Sequence, residues 1–158
     1  MGRRSHTRGP RRCPARRAKR SGVAYRRDIG IDLLLSEAFD HSRVTELRHA
    51  VASCAAAAGL SGDRLDDFVI AVNELLTNAV QHGGGSGRLS LWRAGASVVC
   101  EVADHGGGMP AGRSELRGRP APDQPGGRGL WLAAELTETL EIETSPNGTS
   151  VRISRRAS

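Results

Sequence analysis

The chain has 158 residues, of which 38% are hydrophobic and only 3% aromatic. That length fits one domain around a single buried core, built from Leu, Val, Ile and Ala rather than from rings. The formal charge of +6 hides an asymmetry: residues 1–27 carry eleven Arg or Lys and no acid, whereas the remainder carries twelve Arg against seventeen Asp plus Glu.

The charge divides the chain into a basic arm over residues 1–27 and a mildly acidic domain over 28–158. The arm has two readings. It either touches nucleic acid by neutralising phosphates, or is a disordered tail, since it lacks interleaved aromatics and any folded motif. Cys13, Cys54 and Cys100 are far apart and match no zinc spacing. No stretch of eighteen apolar residues is present, and Cys13–Arg20 is too polar for a secretory core. The expectation is a cytoplasmic protein without a membrane segment.

Ile31–Leu35 reads as a first strand. Asp40-His41-Ser42 supplies capping candidates for a helix over Arg43–Ala58, whose apolar residues Val44, Leu47, Val51 and Ala55 recur near the helical period. A second helix runs from Ser61 or Asp63 to His82 with a wide apolar face (Leu65, Phe68, Val72, Leu75, Leu76, Ala79), and Gly83-Gly84-Gly85 ends it. Arg88–Arg93 and Ser97–Ala103 form a hairpin across Ala94-Gly95-Ala96. Asp104–Pro110 is a glycine-rich loop, and Ala111–Pro125, rich in Pro, Gly and Arg, is a mobile one. Gly129–Leu136 reads as a third helix. Thr139–Thr144 and Thr149–Ile153 form a second hairpin across Ser145-Pro146-Asn147-Gly148, in which the Asn-Gly pair is a turn signal. This order predicts an α+β two-layer sandwich with a mixed, mostly antiparallel sheet and helices on one face.

Four segments carry chemistry. Glu74 and Asn78 lie four apart and share a helix face. Such a pair fits either the exposed edge of an amphipathic helix or a site in which the amide oxygen binds magnesium and the carboxylate accepts a proton. Asp104 ends a strand where its carboxylate can accept from an exocyclic amine. Gly106 and Gly108 beyond it allow close backbone approach. Gly126-Gly127-Arg128-Gly129-Leu130 opens a helix with free N–H groups suited to phosphates. Thr149 follows the late turn. Each of the last three, alone, also fits an ordinary turn or helix start. There is no P-loop motif, and His6, His41, His49, His82 and His105 show no paired spacing, which makes them surface residues.

Taken together and in order, the Glu-x-x-x-Asn box, the Asp-x-Gly-x-Gly box, the Gly-x-Gly box and the late Gly-Thr resemble the GHKL ATPase superfamily, whose nucleotide pocket is of the Bergerat type. The resemblance spans Ile31 to Ile153. Glu74-Leu75-Leu76-Thr77-Asn78-Ala79 with His82, Gly126–Leu130, and Ser42-Arg43-Val44 with Leu47-Arg48 look most like the bacterial anti-sigma factor serine/threonine kinases. The resemblance implies ATP and Mg2+ as cofactors, with Asn78 on the metal and Glu74 as general base. It implies Asp104 on adenine and Gly106, Gly108, Gly127, Arg128, Gly129, Leu130 and Thr149 around the nucleotide. Ala111–Pro125 would be the lid, and Arg43 a phosphate or partner contact. The implied partners are an anti-anti-sigma domain phosphorylated on serine, an alternative sigma factor, and a second copy of the chain. A non-catalytic ATP-binding switch is the alternative function. The extra glycine in His105-Gly106-Gly107-Gly108, the short arginine-rich lid and the basic arm depart from the family pattern.

Overall fold

The computed structural model of the chain describes residues 31–107 and 127–157, with side chains from 129 onward in the second stretch. The arm over 1–27, the residue Gly108, the side chain of Arg128 and the segment expected to be a lid lie outside these described residues. In chain order, the elements are β1 (Ile31–Asp40), a 3-10 turn (His41–Arg43), α1 (Val44–Ala57), α2 (Gly62–His82), β2 (Ser86–Ala94), β3 (Ser97–Asp104), α3 (Gly127–Glu135), β4 (Thr139–Ser145) and β5 (Gly148–Arg156).

The strands form one sheet in the order β1-β2-β3-β5-β4. All four pairings are antiparallel, so the sheet is not mixed as the sequence suggested. Hairpins join β2 to β3 and β4 to β5, and with α3 as the connection β5 still lands antiparallel beside β3. Alternation fixes which face is covered: Leu89 and Leu91 of β2, Val98, Cys100 and Val102 of β3, and Val151 and Ile153 of β5 are all buried. They meet Leu47, Val51, Cys54 and Ala55 of α1, the stripe Phe68, Ala71, Val72, Leu75, Leu76 and Ala79 of α2, and Leu130 and Ala133 of α3 in one core cluster. Helices cover one face of the sheet, and the other carries polar pairs such as Arg152 with Glu101, Nη2 to Oε2 2.7 Å.

Several boundaries differ from the sequence reading, and those of β1, α1 and the last hairpin have local reasons. β1 continues to Asp40, because Ser36 through Asp40 stay in register with Ser90 through Ser86 of β2. Asp40 then accepts from Ser42 N at 2.9 Å and Ser42 Oγ at 2.6 Å, capping a 3-10 turn before α1 proper begins at Val44. The Ser42 hydrogen bonds hold the Asp40 carboxyl below its ordinary pKa. In the last hairpin Ser145 pairs with Gly148, so the two loop residues are Pro146-Asn147 rather than a turn centred on Asn-Gly. Proline locks its own φ negative, which excludes a turn with positive φ at both central positions. Gly148 instead opens β5 at φ +145.

The end of α2 remote from its glycines is fastened by charge. Arg155 contacts Glu138 at 3.6 Å and Asp67 at 3.5 Å, and Arg64 reaches the same Glu138 at 3.6 Å. Among the described residues no helix is long and apolar enough to cross a membrane. Leu76 is fully buried at the middle of the core. Leu76→Ala should lower the unfolding free energy by about 2–5 kcal/mol, read as an earlier urea midpoint with an unchanged slope.

Candidate functional site

The same alternation that builds the core carries two polar residues onto its rim. Asp104 follows Val98, Cys100 and Val102 at two-residue spacing, and Thr149 precedes Val151 and Ile153 in the same way. Because Ala103 pairs with Ser150, the two side chains meet at one end of the covered face. Asp104 is 8% exposed and Thr149 5%. Burial of a carboxylate demands donors, and the backbone supplies them. Asp104 Oδ1 accepts from Gly106 N at 3.0 Å and from Thr149 N at 3.1 Å. Thr149 Oγ1 in turn pairs with Thr144 Oγ1 at 3.0 Å across the β4–β5 hairpin.

Glycines let the neighbouring backbones close on this carboxylate. A Cβ on Gly83, just past the end of α2, would overlap Asp104 Oδ2, and one on Gly148 would overlap the Asp104 carbonyl oxygen. A Cβ on Gly106 would lie 2.8 Å from the Gly83 carbonyl carbon. The C-terminal end of α2 therefore rests on Asp104 and the loop after it.

Farther back along α2, Asn78 and Glu74 are half-buried on the flank of the apolar stripe. Glu74 faces the start of α3: a Cβ on Gly129 would sit 2.7 Å from Glu74 Oε2. α3 begins at Gly127, two residues earlier than the sequence suggested. Leu130 is fully buried in the core, so it roots the helix, while the first N–H groups of a helix have no partner within it. With a rise of 1.5 Å per residue, Gly83, Asn78 and Glu74 mark out a row of about 14 Å by height along α2, with Asn78 and Glu74 on one side of the helix and Gly83 on another. Asp104 stands at one end and the glycine-opened helix at the other.

A hollow of about 360 Å³ lies at the strand end, lined by Asp104, Thr149, Thr144, Asn147 and their neighbours but not by Glu74 or Asn78. What joins the two halves of the row is α2 itself. Arg43 belongs elsewhere: it pairs with Glu37 at 3.3 Å and Glu46 at 3.5 Å beside a separate hollow between β1 and α1. His41, His49, His82 and His105 are exposed, as their spacing suggested.

The donor set fits a phosphate-borne metal better than a protein-caged one. Among the described residues no group of three or more His, Cys, Asp or Glu could hold a metal ion. Asn78 would offer one amide oxygen, a hard donor that suits a magnesium ion held chiefly by phosphates and water. Gly129 lets the start of α3 approach the Glu74 carboxylate, where a side chain would intrude.

A buried acid at one end of α2 and a glycine-opened helix at the other, under one face of an antiparallel sheet, make up an α+β domain with helices on one side. Residues 37–155 match the family profile described as the histidine kinase-like ATPase domain, and the chain belongs to that family. Nucleotide binding follows from that membership.

Among solved structures, the chain is similar to the RsbU and RsbW domains of Rv1364c from Mycobacterium tuberculosis. The identity is 22% over 77% of this chain and 31% of that one, with a TM-score of 0.59. This chain thus spans about a third of that structure's chain. It is also similar to the catalytic domain of the histidine kinase ThkA, at 14% identity over 78% of this chain and 96% of that one, with a TM-score of 0.50. At these identities the likeness is one of fold. No curated protein matches the chain.

Sequence reasoning took Gly83 for a helix stop and passed over Thr144. A signal for the first was present: one left-handed glycine ends a helix, and three stand in a row. Thr144 became visible only through strand register. Gly148→Ala places a methyl on the Asp104 carbonyl at a φ that disfavours any Cβ. It should cost about 1–3 kcal/mol of stability and weaken nucleotide binding, as measured by thermal melting with and without ATP.

Proposed function

We propose that this chain is an ATP-dependent serine/threonine protein kinase of the anti-sigma type, which phosphorylates a small anti-anti-sigma domain on serine. The observation that carries the reading is the placement of Glu74. Its carboxylate lies against Gly129 at the start of α3, beside the N–H groups suited to a γ-phosphate. A domain that only held nucleotide would have no use for a proton acceptor there. The likeness in fold to the RsbU and RsbW domains of Rv1364c is in keeping with this class.

In this reading each residue has a separate task. Asp104 accepts from the adenine amine through the oxygen that Gly106 N and Thr149 N leave free. Thr149 closes the base end. Gly106, Gly108, Gly127, Arg128, Gly129 and Leu130 border the nucleotide, mostly through backbone. Asn78 contributes its amide oxygen to Mg2+, and the bound ion supplies neutralisation of phosphate charge. Glu74 takes the proton of the attacking serine hydroxyl. The chain's contribution is positioning and electrostatics, as expected for phosphoryl transfer. An alternative sigma factor is the regulatory target, released or held according to whether the small domain carries phosphate.

Two variants separate the roles. Asn78→Ala should lose magnesium-dependent ATP binding in calorimetry. Glu74→Ala should bind ATP as the parent does, yet transfer phosphate to the anti-anti-sigma domain roughly a hundredfold or more slowly. Stoichiometric complex formation by the parent protein without any phosphoserine, mapped by mass spectrometry, would reject the kinase and leave the ATP-binding switch.

A further inference from the structure

Gly83 is not required by the course of its backbone. Its φ of −105° and ψ of 27° involve no left-handed geometry, and its N–H bonds Ala79 O at 2.9 Å as a helix continuation. The left-handed residue that stops α2 is the next one, Gly84, at φ +86. What Gly83 lacks is a Cβ, and the space so left is occupied by Asp104: an added methyl would overlap Asp104 Oδ2 and Cγ and lie 2.8 Å from Ala79 O. The opposite oxygen, Oδ1, is already held by two backbone donors. The carboxylate therefore cannot swing away from an intruding methyl without surrendering one of them.

We infer that Gly83 is a positioning residue for purine recognition, setting the angle at which Asp104 Oδ2 is offered to the 6-amino group of adenine. This rests on the reading that Asp104 recognises adenine. Gly106 belongs to the same contact, since its own Cβ would fall 2.9 Å from Gly83 Cα. The end of α2 and the loop after β3 thus meet backbone to backbone, with the carboxylate wedged at the seam. A methyl at position 83 meets the acid more closely than it meets the helix backbone.

The test compares ATP with purine riboside triphosphate, which lacks the 6-amino group, on the full chain. By calorimetry Gly83→Ala should weaken ATP roughly tenfold or more, the loss expected for a misaligned hydrogen bond to a charged acceptor. Its affinity for the analogue should stay at the parent's value. A simple packing defect would weaken both nucleotides equally, and that result overturns the inference, as does parental ATP affinity. Unchanged ATP binding in Asp104→Asn would remove the adenine reading and this inference with it. A loss in Asp104→Asn with none in Gly83→Ala removes the inference alone. Should Gly83→Ala fail to fold, the same two-nucleotide comparison on Gly106→Ala decides, since its methyl strikes the same seam. A loss confined to ATP supports the inference, and an equal loss of both nucleotides or parental ATP affinity refutes it.

Discussion

Everything at this site depends on a buried carboxylate that no side-chain cation neutralises among the described contacts. Asp104 is held by two backbone N–H groups, one from the loop that follows it and one from the neighbouring strand. Backbone donors are rigid and cannot be titrated, so the acid is fixed in place without being consumed in an ion pair. The arrangement requires three chain segments to approach within contact of one another, and glycine is the residue that permits it at Gly83, Gly106 and Gly148.

The rest of the domain serves this approach. The core stripe of α2, from Phe68 to Ala79, lays the helix across the sheet. The ionic cluster of Arg64, Asp67, Glu138 and Arg155 fastens its far end to the strand ends. With one end anchored and the middle packed, the C-terminal end of α2 has little freedom, and Asn78 and Glu74 follow at positions set by the helical rise. Partly exposed ion pairs such as these contribute little energy individually. Their service here is to fix orientation.

Most of this was legible before any coordinates, because period and spacing carry it. The 3.6-residue repeat of α2 and the two-residue repeat of β3 and β5 placed Glu74, Asn78, Asp104 and Thr149 on the correct elements, and turn residues marked the boundaries within a few positions. The strand order was not legible, since placing β5 rather than β4 beside β3 is decided by tertiary packing. Nor was the special standing of Gly83: a glycine after a helix has an ordinary explanation, and only the contact with Asp104 reveals a second one. The turn across Ser145-Pro146-Asn147-Gly148 was legible too, with Pro146-Asn147 as its central pair.

The orientation of the two helices that bracket the row also has an electrostatic outcome. Aligned peptide dipoles leave α2 with partial negative charge at its Gly83 end and α3 with partial positive charge at its Gly127 end. Both polarities run the same way along the row. Anions are disfavoured beside Asp104 and favoured at the start of α3. The fold is thus polarised before any side chain acts, and an elongated ligand charged at one end meets a different field at each terminus.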